Sequence, residues 1–142
     1  MSELLEKARR LLDEGYTCAL VSEEKTLTSK QRGVAPLLAW LDGGVCCKGL
    51  VAADKVVGKA AAYLYILLGV SKVHAKVLSK AAADVFKRFS LPYTYEESVA
   101  AIRNRTGDGF CPMESAVWNI EDPTAAYDVI VQTKRQLQEK KA

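Results

Sequence analysis

Cys46-Cys47-Lys48-Gly49-Leu50-Val51-Ala52-Ala53 (CCKGLVAA), followed by Asp54-Lys55-Val56-Val57-Gly58-Lys59 and the apolar run Ala60 to Leu68, is the stretch on which the fold turns. The first eight residues are nearly continuous in apolar character. This is the mark of a strand buried on both faces in the middle of a sheet. Asp54 is a good N-cap residue and Gly69 a good terminator, so the spacing predicts a third helix from near Asp54 to just before Gly69.

Outward from this unit the chain alternates. Upstream, Leu4, Leu5, Ala8, Leu11 and Leu12 recur at helical spacing, which predicts a first helix over about Glu3–Glu14 ended by Gly15. Tyr16–Val21 and Lys25–Ser29 read as two short strands joined by the polar turn around Ser22-Glu23-Glu24-Lys25, and therefore as an antiparallel hairpin. A second helix, about Val34–Asp42, takes Pro36 in its first turn and stops at Gly43-Gly44. Downstream, Lys72–Leu78 alternates Val73, Ala75 and Val77 with Lys72, His74 and Lys76 as a strand does, and about Lys80–Phe89 is helical. A short fifth strand is expected at Tyr93–Tyr95, then helical character over Glu96–Arg103. A glycine-bearing loop follows at Asn104–Phe110, then a short helix over Cys111–Asn119 and a last helix opened by Asp122-Pro123. Trp40 and Trp118 are expected to finish the core.

Helices between successive strands imply parallel neighbours with helices on both faces, and a leading hairpin makes the sheet mixed. The fold class is therefore α/β: a three-layer α/β/α sandwich on a mixed five-stranded sheet. No repeat, low-complexity tract or linker marks a boundary, so residues 1–142 read as one domain with a C-terminal helical extension. The order of elements over Ser2–Tyr95 resembles the cytidine-deaminase-like fold. Two motifs, Val51–Ala62 (VAADKVVGKAAA) and Arg105–Glu114 (RTGDGFCPME), resemble those of a small uncharacterised bacterial domain-of-unknown-function family assigned that fold. The resemblance implies the fold and carries no activity.

A zinc deaminase needs three His or Cys ligands and a proton-shuttling Glu, arranged as H-x-E at one helix start and P-C-x-x-C at the next. The first position falls at Arg32–Pro36 and the second at Ala53–Val57, and neither holds a ligand. The one histidine, His74, has no suitably spaced partner. No metal and no cofactor is predicted. Two other places can carry chemistry. If the third helix starts at Asp54, Lys55 and Lys59 stand one turn apart near its positive end, where cations are disfavoured, and Gly58 opens space between them. A small anionic ligand such as a nucleotide or phosphometabolite would account for that pattern, with a solvated face as the bland alternative. Gly58-Lys59 fails as a P-loop because Ala53 and Ala60 replace its first glycine and its hydroxyl. The second place is the loop with Arg105 and Asp108 leading to Cys111. A thiol at a helix N-terminus is favoured as thiolate, with Asp54, Lys55 or Asp108 as its polar partner and His74 as the base. The alternative is a buried, inert cysteine. A thiol-dependent enzyme and a non-catalytic protein-interaction module, a homo-oligomer among them, remain open beside the anion-binding reading.

Composition sets the outer limits. Of 142 residues, 49% are hydrophobic and 26% charged, which suits a globular core without staples. A net charge of +3 argues for no nucleic-acid partner, and the cations near Lys134, Arg135, Lys140 and Lys141 suit a helix C-terminus. No apolar run reaches the ~18 residues of a membrane span, and the start, MSELLEKARR, has no signal-peptide pattern. A cytoplasmic protein with four reduced cysteines (Cys18, Cys46, Cys47, Cys111) is expected. The missing ligands give a first prediction: elemental analysis of the purified protein after mild chelation shows well below one zinc per chain, and about one zinc per chain would overturn the reading.

Overall fold

The computed structural model describes residues 2–31, 33–102 and 111–141. Among the described residues, six helices surround a five-stranded mixed sheet of order β2-β1-β3-β4-β5. The elements are α1 (Ser2–Asp13), β1 (Cys18–Val21), β2 (Thr26–Ser29), α2 (Ala35–Asp42), β3 (Val51–Val57), α3 (Lys59–Leu68), β4 (Lys72–Ser79), α4 (Lys80–Arg88), β5 (Tyr93–Val99), α5 (Pro112–Val117) and α6 (Pro123–Lys141). β1 pairs antiparallel with both β2 and β3, while β3, β4 and β5 run parallel. The α/β class, the leading hairpin and the parallel half are as the sequence predicts.

The layers follow from strand alternation. Ala19 and Val21 of β1 and Val51 and Ala53 of β3 point to one face, where they pack with Ala8 and Leu12 of α1. Cys18, Leu20, Ala52, Val73 and Ala75 point to the other face and join the main core with residues of α2 to α6. α3 is at its centre: Ala60, Ala62, Tyr63, Leu64 and Tyr65 are all buried, and Gly69 closes the helix in the left-handed region at φ 77°, its N–H reaching Tyr65 O and Ile66 O.

Several sequence expectations are corrected. The central strand is Val51–Val57, not residues 46–53. Residues 46–50 form a turn, in which Leu50 N–H reaches Cys47 O and Gly49, at φ 80°, donates its N–H to Gly69 O. Asp54 consequently lies within β3, and α3 begins at Lys59 with Gly58 as its N-cap. The fifth strand does not stop at Tyr95. It continues through Glu96 and Glu97 to Val99, because pairing with β4 persists to Ser79↔Val99, so 96–99 are not helical. Trp118 is 47% exposed rather than core, whereas Trp40 is half-buried against the main cluster.

Candidate functional site: the carboxyl edge of the parallel strands

In open α/β sheets ligands bind beyond the carboxyl ends of parallel strands. In this chain that edge is occupied by the chain itself. α5 lies across the start of α3 and sends the buried side chain of Glu114 onto its first turn. Lys59 N–H donates to Glu114 Oε1 at 2.7 Å and Ala60 N–H to Oε2 at 2.9 Å. Both bonds satisfy helix donors that have no partner within α3. Burial pushes the Glu114 carboxyl above its ordinary range, opposed by the two N–H groups and by the Lys59 ammonium. Gly58 makes the fit possible, since a Cβ built there would overlap the Glu114 carboxylate.

The expected anion site is therefore revised. Lys55 sits on β3 and, next to Asp54, alternates toward the face opposite α3, so it does not stand one turn from Lys59 on a helix. The Lys59 ammonium donates to the carbonyl of Trp118 at 2.8 Å. It belongs to a strap over residues 118–121, in which Tyr63 Oη donates to Ile120 O and Arg88 to Glu121 O at 2.7 Å and to Tyr63 Oη at 2.8 Å. Gly58 and Lys59 thus serve the docking of the C-terminal segment.

Asp54 occupies a different place. It is buried under α3, accepts a hydrogen bond from Tyr65 Oη at 2.7 Å, and lies opposite Cys18 in the β1–β3 register. Cys18 Sγ is 3.2 Å from the same hydroxyl. Burial raises the Asp54 carboxyl to about 7, against the lowering effect of Tyr65 and the backbone N–H groups of Val56 and Lys55. Burial likewise drives the Cys18 thiol well above its ordinary value, with the Asp54 charge adding to the effect. This makes Cys18 a poor thiolate.

Cys111 is half-buried and is the N-cap of α5, a helix of six residues. It is one turn from Glu114. Two of its expected partners, Asp54 and His74, are engaged elsewhere. Asp54 is committed to Tyr65 in the core, and His74 lies on the α1 side of β4, its ring nitrogens 2.7 Å from Thr94 Oγ1 and 3.0 Å from Glu96 Oε2. Arg105 and Asp108 lie outside the described residues. All four cysteines are free, and among the described residues no group of three His, Cys, Asp or Glu could hold a metal ion.

Two open grooves flank α4. One, about 210 Å³, is lined by Lys59, Tyr63, Asp84, Arg88 and Glu121 beside the strap. The other, about 300 Å³, runs between α4 and β5, with Lys80, Asp84 and Lys87 on the helix side and Tyr93, Tyr95 and Ser98 on the strand side. The Tyr93 and Tyr95 rings stack at 6.4 Å between centroids and 19° between planes, and Tyr93 rests on Phe86. Sequence reasoning passed over these residues. The available signal was the spacing of Lys80, Asp84 and Lys87 on one helical face and of Tyr93 and Tyr95 on one strand face. Nothing in the sequence paired Glu114 with Gly58.

The family model described as domain of unknown function DUF1893 matches residues 7–133. The chain belongs to the DUF1893 family. The crystal structure of a DUF1893 family protein from Thermotoga maritima is similar to it, with a TM-score of 0.87 and 25% identity over 93% of this chain and 90% of that one. No curated protein matches the sequence. No helix among the described residues is long and apolar enough to cross a membrane.

Two predictions follow from the edge. Gly58→Ala expels the Glu114 carboxylate and Glu114→Ala leaves two helix donors unpaired; each costs about 1–3 kcal/mol in urea unfolding. Because both break one contact, the double variant loses clearly less than the two single losses combined, and simple additivity would show that Gly58 and Glu114 act independently. Asp54 sets the second. With its folded-state value near 7 and an ordinary value of 3.8, the folded chain holds a proton that the unfolded chain has lost between those values. Stability therefore falls as pH rises from about 4 to 7 and then levels, each tenfold change in proton affinity being worth about 1.4 kcal/mol. Asp54→Asn flattens this part of the pH–stability profile, and an unchanged slope would show that Asp54 folds already ionised.

Proposed function

We propose that this DUF1893 domain is a zinc-free variant of the cytidine-deaminase-like arrangement that binds a small anionic ligand with a planar face, a nucleotide or a phosphorylated aromatic metabolite. The seat is the groove between α4 and β5. The observation that carries the reading is the placement of the half-exposed Tyr95 ring, backed by Tyr93, opposite Lys80 and Lys87 in a groove of about 300 Å³. An exposed tyrosine face offers stacking worth about 1–3 kcal/mol per base. Ammonium groups at both ends of a helical face offer charge-assisted bonds to phosphate. Asp84, between the lysines, supplies an acceptor for a ligand N–H or hydroxyl. The volume is at the lower end of ligand sites, roughly 300–1,000 Å³, and suits a mononucleotide rather than a dinucleotide.

The α3 start is a weaker seat because Glu114 already satisfies its first donors. A thiol enzyme at Cys111 is a weaker reading because Asp54 and His74 have other partners.

Calorimetric titration with AMP, and separately with inorganic phosphate, tests the proposal. AMP binds with one site per chain and phosphate more weakly. Lys80→Gln/Lys87→Gln removes binding of both, whereas Tyr95→Ala weakens AMP about tenfold or more and leaves phosphate unchanged. Absence of heat with wild-type protein, or AMP binding indifferent to all three substitutions, overturns the groove as the seat.

A further inference from the structure

The groove depends on an edge strand that has a pairing partner on one side only, and one buried side chain ties that strand down from behind. β5 is hydrogen-bonded to β4 alone among the described strands. On the β4 face away from the groove, His74 is only 4% exposed although it lies beside the polar side chains of β5. Its register partner is Thr94, whose Oγ1 is 2.7 Å from Nδ1, and its Nε2 is 3.0 Å from Oε2 of Glu96, two residues further along β5. Both ring nitrogens are therefore spent on one strand, at residues i and i+2 of the same face.

We propose that His74 is a positioning residue that pins the register of β5, so that the intervening residue Tyr95, with Tyr93, is held facing the groove. The physical reason is the period of two in a strand: a slip of one residue would present Thr94 and Glu96 to the groove and turn both tyrosines away. An ordinary edge strand of hydroxyl, aromatic and acidic residues has no buried apolar row to forbid that slip. A buried imidazole with two acceptors or donors at fixed spacing does forbid it, because a shifted strand leaves a desolvated ring nitrogen unpaired. The Glu96 carboxylate is the weaker end of the clamp, being half-exposed. It is surrounded by charge from two elements: Lys76 of β4, beside the hydrogen-bonded His74 ring, and Arg9 of α1, with Asp13 of α1 paired to Lys76 at 3.1 Å. The His74 hydrogen bond and these cations hold the Glu96 carboxyl below its ordinary range. The clamp is thus kept at neutral pH and loosens in acid as Glu96 takes a proton.

The consequence for ligand rests on the groove reading; the clamp itself does not, and the experiment separates them. Amide hydrogen exchange of ligand-free protein, corrected for intrinsic rates, reads the clamp. In His74→Leu, amides of Tyr93–Val99 exchange at least tenfold faster while those of Val51–Val57 change less than twofold. His74→Gln, which keeps one donor for Glu96, recovers part of the protection. Glu96→Gln, a substitution at a half-exposed site that leaves the core intact, exchanges about threefold faster over β5 at pH 7. It also lacks the acid-induced loss of β5 protection seen in wild type. Unchanged β5 protection in all three variants, or equal acceleration across β1, β3 and β5, overturns the clamp. If the clamp variants behave as expected and AMP fails to bind wild type, the groove reading falls alone. If AMP binds wild type and the His74→Leu affinity is unaltered despite loosened β5, the positioning role falls alone.

Discussion

The carboxylate of Glu114 on the first turn of α3 is the contact that organises the edge where this kind of sheet ordinarily works. A helix start under a sheet needs its first N–H groups satisfied, and a fold that leaves them free has an anion site. Here the donors are met by a side chain 54 and 55 residues away in the chain, and the glycine that makes room for it is the N-cap itself. The C-terminal segment is consequently part of the central architecture. With its first turn held by Glu114, and with Lys59, Tyr63 and Arg88 gripping the carbonyls of the following strap, α3 is buried from Ala60 to Tyr65 and open to solvent toward its end, at Leu67.

That enclosure explains the second unusual feature, an acid in the middle of a central strand. β3 carries Asp54 on the face covered by α3, where a charged carboxylate would be expensive to bury. The Tyr65 hydroxyl lies within hydrogen-bonding distance of both Asp54 and Cys18, and joins three polar groups into one buried chain. The arrangement is a candidate for specifying how α3 seats on the sheet, since sliding the helix by a turn would leave Asp54 without its donor.

With the α3 edge closed, the open chemistry of the molecule shifts to the β5 edge of the sheet. α4 is amphipathic, turning Ala82, Val85 and Phe86 inward and leaving Lys80, Asp84 and Lys87 along the groove. β5 is the strand most accessible to solvent, with Glu96 and Glu97 exposed. Charge on an edge strand discourages pairing with another chain. The same strand presents tyrosines on one face and hydrogen-bonds a buried histidine on the other, so its two faces serve distinct purposes.

Much of this was legible in the sequence by itself. The alternation of periods, 3.6 for α1 and 2 for β4, and the glycines and prolines at the boundaries determined the α/β class and the order of elements as far as the fifth strand. These properties are local, and local pattern carries them. Element ends at β3, α3 and β5 were not legible, because Asp54 is equally suited to an N-cap and, once Tyr65 is within reach, to a strand. Likewise Glu96–Glu97 is helix-like until β4 offers its edge. Only the tertiary structure paired Glu114 with the α3 start, took Lys55 away from Lys59, and separated Asp54 and His74 from Cys111. Each of these is a contact between side chains far apart in the chain, whose energy comes from burial and hydrogen bonds that exist only after the layers have packed.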